Sequence, residues 1–297
     1  MWILEGDIAL SAMLKTETQD SSVETTVDFF RKHGYITGID IMTQQEAEEI
    51  RKVFDEYESW ACNGESISAN GNERLKTHLL LTQIAEVVRH PRILAVVEDL
   101  LGPEFVVWSS DWNIKNAGTA DHFSWHQDST YAALRPMEHV LTCWLAISEA
   151  SEEHGCLRFA DGSHLCGQLM HHEQPGAGNM LSRGQTVPDE YIDKFRVKSA
   201  PLRPGQMSIH HSHLVHSSGH NSTQEDRRIG LAIRYAATAV KGFKPESATL
   251  VSGEDLGSWK REPRPRFSYS EEAVAAHDQA VKSFIRARRI TMAKPNS

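Results

Sequence analysis

From Gly102-Pro103 to Tyr235 the chain breaks into short β-prone runs divided by turn residues, and this texture limits the fold more than any other feature. The runs are Phe105–Ser109, Val140–Ile147, Gly155–Phe159, Met207–Ile209 and Arg228–Tyr235. Asp161-Gly162-Ser163, Pro204-Gly205 and Ser218-Gly219-His220-Asn221 punctuate them. Many short strands without intervening helices point to a sandwich or jelly-roll barrel rather than βαβ units. The expected fold class is therefore mainly β with flanking helices, around a cupin-like jelly-roll core.

The flanks read differently. Residues 1–24 are polar without a sustained period and are expected to form an arm. Val23 to Gly34 reads as a short helix, and Tyr35–Ile39 as a short strand. Thr43-Gln44-Gln45-Glu46 is a capping box, and Ala47, Ile50, Val53, Phe54 and Tyr57 supply a stripe at helical spacing. Further helices are expected around Thr82–His90 and from Pro91 to Leu101, the latter with proline at its first position and Gly102 after its end. Residues 166–200 have little period, and so long an irregular insert in a compact domain is usually functional. Glu271–Met292 reads as an amphipathic helix with arginines late in it. The expected organisation is an arm (1–24) and one domain (25–297). Within that domain come a helical part (25–102), a jelly-roll core (103–240) and a C-terminal extension with a helix (241–297).

Composition excludes some functions. The net charge of -9, without a block of like charges, argues against nucleic acid as a partner. No run of 18 apolar residues exists to span a membrane. The first residues carry Glu5 and lack a basic region, unlike a secretory signal. Cys62, Cys143, Cys156 and Cys166 have no CxxC spacing and do not suggest a disulfide framework. The expectation is a soluble, cytoplasmic protein with a small-molecule substrate. The number of subunits is not legible.

The chemistry begins at Trp125-His126-Gln127-Asp128. In an extended segment, side chains two apart share a face, so His126 and Asp128 can reach one ion. A second His would complete a two-His-one-carboxylate triad, which leaves three positions open on a non-haem Fe(II). Candidates for it crowd the segment His210-His211-Ser212-His213-Leu214-Val215-His216, where spacing alone does not choose among four histidines. Arg227 lies eleven residues beyond His216 and shares a strand face with Ile229, Leu231, Ile233 and Tyr235. If that apolar face points inward, Arg227 is the inward arginine, and its planar fork suits a carboxylate. A structural ion pair is the other reading.

Taken together, Trp125–Asp128, Thr142–Ile147, Glu153–Arg158, Asp161–His164 and His216–Asn221 with Arg227 resemble the phytanoyl-CoA dioxygenase (PhyH) family, in order from about Phe29 to Tyr235. The resemblance implies a double-stranded β-helix and a dioxygenase dependent on Fe(II), 2-oxoglutarate and O2. It implies that His126, Asp128 and His216 bind the metal. It also implies that Arg227 pairs with the distal carboxylate of 2-oxoglutarate, that Ser218 helps to hold it, and that Trp144 lines the cosubstrate pocket. Lys76 matches a family lysine that binds 2-oxoglutarate, after a gap of a few residues. Ser217 stands where the family often has Gly, and His220 where Pro or Gln is common. Related halogenases replace the carboxylate by a small residue, whereas Asp128 is present here, which favours hydroxylation, with desaturation or ring closure as variants.

The primary substrate is expected to be a small polar metabolite, such as an amino acid, a phosphonate or a precursor in secondary metabolism. Asn113, Lys115, Gln127 and Tyr131 are expected to line its pocket, with Arg183 meeting an anionic group from a lid formed by Met180–Gln185. An acyl-CoA hydroxylase of the same family, a non-catalytic cupin-like binding module and a zinc hydrolase remain as alternatives.

Overall fold

The structure, a computed structural model, describes residues 24–68, 71–132, 134–174, 176–242, 246–255 and 257–292. The expected arm lies outside them except for its last residue.

Two antiparallel-rich sheets make the core. In chain order the strands are β1 (Tyr35–Asp40), β2 (Phe105–Lys115), β3 (Phe123–His126), β4 (Leu134–Arg135), β5 (Val140–Ala146) and β6 (Leu157–Ala160). Then come β7 (His172–Glu173), β8 (Gln185–Thr186), β9 (Val197–Ala200), β10 (Gln206–His211), β11 (His216–Ser218) and β12 (Arg228–Ala237). The last are β13 (Lys241–Gly242), β14 (Ser247–Ser252) and β15 (Lys260–Arg261). The larger sheet runs β1-β10-β5-β12-β2-β14-β15, and the smaller β3-β11-β6-β9. Such a pair of sheets with crossed-over neighbours is the expected jelly roll.

The helices are α1 (Thr26–His33), α2 (Gln44–Cys62), α3 (Thr82–Val87), α4 (Pro91–Leu101), α5 (Asp189–Ile192) and α6 (Glu271–Met292). Local chemistry explains their ends. Thr25 Oγ1 accepts from Asp28 N, and Gly34 closes α1 at φ 81°, a conformation that costs glycine little. The capping box at Thr43 is complete, with Glu46 N donating to Thr43 Oγ1 and Thr43 N donating to Glu46 Oε2. Residues 166–200, expected to be irregular, contain the two-residue pair β7–β8, the single turn α5 and β9. Elements so short leave no periodic signature. Among the described residues no helix is long and apolar enough to cross a membrane.

The central strands of the larger sheet, β10, β5, β12 and β2, are buried on both faces. On the outer face Ile229, Leu231, Ile233 and Tyr235 of β12 join Phe54 of α2, Ile84 and Val87 of α3 and Val97 of α4 in one apolar cluster. The other face, with Arg228, Gly230, Ala232 and Arg234, looks into the barrel. In register beside these stand Lys115, Asn113, Asp111 and Ser109 of β2. The lipophilic face of β12 therefore belongs to the helices and its polar face to the barrel interior.

Candidate active site

His126 and His216 are direct cross-strand partners in the smaller sheet. Asp128 begins a short 3-10 turn, Asp128–Thr130, immediately after β3, and extended Gln127 (φ -114°, ψ 134°) preserves the alternation that puts its carboxylate beside His126. One ligand atom from each of His126, Asp128 and His216 lies within 4.8 Å of the others, and all three residues are buried. Of the four clustered histidines, His216 is the one that closes this triad.

The ligands are held in a metal-ready form. His126 Nδ1 donates to Ser124 O at 2.8 Å and His216 Nδ1 to Leu214 O at 3.0 Å, leaving each Nε2 lone pair free to coordinate. Burial lowers both imidazole pKa values and so favours the neutral rings that coordination requires. For Asp128, burial opposes ionisation, but Arg234, His210 and His216 outweigh it and hold the carboxyl well below its usual value. Thr142 Oγ1 donates to Asp128 Oδ2 at 2.6 Å and fixes the carboxylate's orientation. His210 lies against this group, its ring 4.3 Å from that of His216 and its Nε2 3.5 Å from Asp128 Oδ2.

Deeper in the barrel is a second polar cluster. Arg228 is fully buried, with Nη1 donating to Gly155 O at 2.8 Å, while its Nε and Nη2 have no partner. Its guanidinium lies 5.2 Å from the Trp144 ring centroid, and Gly230 leaves that ring its space, since a Cβ there would overlap the indole. Trp144 Nε1 and Ser208 Oγ are also buried without partners, and the two residues face each other across β5 and β10. Lys115, in register with Arg228, donates from Nζ to Ser218 Oγ at 2.7 Å and to Gly219 O. Desolvation, then the charge of Arg228, pushes its pKa down to about 5. One buried guanidinium with two orphaned nitrogens, beside the Lys115 amine and the orphaned Trp144 Nε1 and Ser208 Oγ, fits a carboxylate such as that of 2-oxoglutarate.

Several expected positions need correction. Arg227 points away from the barrel: its Nη1 and Nη2 donate to the two oxygens of Glu58 at 2.8 Å each, and its Nε to Asn116 Oδ1 at 2.8 Å. The apolar face of β12 turns outward under the helices, so the inward arginine is Arg228, one residue later. Lys76 is fully buried but donates to Glu262 Oε1 at 2.5 Å and to Ser247 O at 3.2 Å, a structural pair outside the cosubstrate cluster. Gln127 braces the loop around Gly167–Leu169, donating to Gly167 O and His213 O and accepting from Leu169 N, rather than lining a pocket. Arg183 forms an ion pair with Glu173. Lys115 belongs with Arg228 and Ser218.

A cavity of about 380 Å³ opens beside the triad. His126 and Asp128 lie on its wall, as do the expected Asn113 and Tyr131, together with Met180, Leu181 and Ser182. Arg74, Arg234 and Arg288 also line it, and none of these is apparent from sequence spacing, because each comes from a different element. Arg234 donates to Asp111 Oδ2 at 2.5 Å and lies 3.5 Å from Asp128 Oδ1.

The phytanoyl-CoA dioxygenase (PhyH) family matches residues 30–229. The chain belongs to this family. With the intact triad, it is a 2-oxoglutarate-dependent non-haem iron oxygenase, and Fe and 2-oxoglutarate are its cofactors. The non-haem monooxygenase ThoJ, in its apo structure, superposes with a TM-score of 0.76 at 28% identity, covering 90% of this chain and 98% of ThoJ. The methylphosphonate hydroxylase of Gimesia maris is 24% identical over 232 residues, 75% of this chain and 84% of that protein. Phytanoyl-CoA dioxygenase domain-containing protein 1 of Danio rerio is 28% identical over 146 residues, and the match spans about half of its length (49%).

Proposed function

We propose that this oxygenase hydroxylates an unactivated C–H bond of a small polar metabolite, converting 2-oxoglutarate to succinate and CO2. The observation that carries the reading is the pair of polar clusters in one barrel: an intact triad, and beyond it a buried guanidinium with two orphaned nitrogens.

In this reading His126, Asp128 and His216 would hold iron on one face, leaving positions for the cosubstrate and O2. Iron bound there would activate O2, the oxidant for both the C–H bond and the 2-oxoglutarate that is decarboxylated. Arg228 receives the distal carboxylate of 2-oxoglutarate, Lys115 adds a second donor, and Ser218 and the Trp144 ring shape the pocket. Thr142 and Arg234 keep Asp128 ionised and oriented. Met180 and Leu181 lie on the cavity wall. Its modest volume and three arginines suit a compact polar substrate better than a long acyl chain. The names of two relatives, a methylphosphonate hydroxylase and a non-haem monooxygenase, agree with hydroxylation of a small molecule.

The test is anaerobic titration of the Fe(II)-loaded protein with 2-oxoglutarate, followed by the visible charge-transfer band of bidentate chelation. The band is expected with wild type and Arg227→Ala, and is expected to be lost in Asp128→Ala and shifted to far higher cosubstrate concentration in Arg228→Ala. No band with wild-type protein, or bound zinc without oxygen consumption, overturns the assignment.

A further inference from the structure

The cavity beside the triad has an unbalanced charge. Among its described lining residues the cations are Arg74, Arg234 and Arg288, and the anions are Asp111 and Asp128. Asp128 belongs to the metal, and Asp111 already accepts from Arg234. Arg74 has only a distant share of Asp111, Nη1 to Oδ2 at 3.9 Å, and its buried Nε has no partner. Arg288, on α6, stands over the faces of Tyr131 and Phe284 at 5.9 and 5.5 Å from the ring centroids. Those contacts offer its guanidinium an aromatic seat and no counter-ion. Burial, offset in part by Asp111, holds its pKa at about 10, so it stays charged at neutral pH.

Two guanidiniums brought to one cavity from distant segments of the chain, Arg74 and Arg288, repel each other unless an anion lies between them. Folding them there is costly and is offset when a ligand supplies that charge. Arginine's fork also matches planar or tetrahedral oxyanions better than any neutral group.

We propose that Arg74 and Arg288 form the substrate's anion subsite, so that the substrate of the oxygenase proposed above carries a carboxylate or phosphonate head group. The head group sits between the two guanidiniums, and the rest of the molecule extends along the same cavity toward His126 and Asp128. Tyr131, beneath Arg288, keeps that guanidinium turned toward the cavity. The α6 helix thereby completes the substrate pocket although it lies far from the metal ligands in sequence.

The experiment is isothermal calorimetry of the protein loaded with Ni(II) and 2-oxoglutarate, titrated with propionate, ethylphosphonate and uncharged propionamide. At least one anion is expected to bind at least about tenfold more tightly than the amide, since hydrogen bonds to charged groups are the strong ones. A preference between propionate and ethylphosphonate distinguishes a carboxylate from a phosphonate subsite. Arg288→Gln and Arg74→Gln are each expected to weaken that anion about tenfold or more. Arg286→Gln, which removes an exposed charge from the same helix, should leave it unchanged. Arg74 contacts Asp111, so its variant is accompanied by a melting curve, whereas Arg288 makes no ion pair among the described residues. Equal binding of amide and anions, or unchanged anion affinity in Arg288→Gln, overturns the subsite. The 2-oxoglutarate chelation band, recorded separately with Fe(II), reports on the cosubstrate reading, so the two fail independently.

Discussion

Replacing Arg228 by methionine separates the two arginines at the start of β12. Among the described residues Arg228 Nη1 donates to Gly155 O, while its Nε and Nη2 are buried without acceptors. Burial depresses its pKa to about 10, because the guanidinium is taken out of water. Methionine keeps much of the volume and removes the desolvated charge, so the ligand-free variant should melt no lower than wild type. Cosubstrate binding should respond in the opposite direction. Two charge-assisted hydrogen bonds to a carboxylate, at about 1.5–3 kcal/mol each, would be lost, and breaking a buried pair costs about 3–5 kcal/mol. At 1.4 kcal/mol per tenfold, the Kd for 2-oxoglutarate should rise by about two to three and a half powers of ten. Arg227→Ala has the reverse pattern. It removes a bidentate pair with Glu58 and should cost about 1–2 kcal/mol of stability while leaving the cosubstrate Kd within about twofold. Thermal melts and the anaerobic titration measure both quantities. If Arg228→Met binds 2-oxoglutarate normally while Arg227→Ala does not, the inward assignment of Arg228 is wrong.

Other positions give independent tests. Gly230→Ala would drive a methyl into the Trp144 ring, so it should lower stability by about 1–3 kcal/mol and raise the KM for 2-oxoglutarate, both measurable on the purified variant. Thr142→Val removes the hydroxyl that donates to Asp128, and its Fe(II) affinity, read by competition with a chelator, should fall about 10- to 100-fold without loss of the fold. Glu262 is buried, but Lys76 and His78 outweigh that burial and hold its pKa at about 2. A carboxyl depressed in the folded state adds stability above its unfolded pKa of about 4.3, and loses it as pH falls toward 2. Urea midpoints between pH 5 and pH 2 should therefore fall more steeply in wild type than in Lys76→Met. At neutral pH the variant, with Glu262 left uncompensated, should be destabilised by about 3–5 kcal/mol while still binding 2-oxoglutarate. Loss of cosubstrate binding in Lys76→Met would restore Lys76 to the active site.

Features set by near neighbours along the chain are legible in the sequence where they are long enough to leave a signal. The capping box at Thr43, the proline start of α4 and the C-terminal helix all appear where their local signals place them. The turn-punctuated runs pointed to the jelly roll, and the pairing of His126 with Asp128 followed from extended backbone alone. The choice of His216 from four neighbouring histidines needed the family resemblance, because spacing does not say which ring meets β3.

What the sequence could not determine was which side of a strand is the inside. An alternating pattern labels two faces of β12 but does not say what covers each. Helices α2 to α4 bury the apolar face from outside, and the polar face turns toward the barrel interior, so Arg228 rather than Arg227 turns inward. Lys76, which the resemblance assigns to 2-oxoglutarate, and Gln127, which its place between the ligands assigns to the substrate pocket, are tied by tertiary contacts to Glu262 and to the Gly167–Leu169 loop. Arg74, Arg234 and Arg288 show the converse, three separate arginines that only the fold gathers into one cavity. Hydrophobic periodicity records that a face is covered; whether by a neighbouring helix or by the barrel's own contents is decided by packing between distant segments.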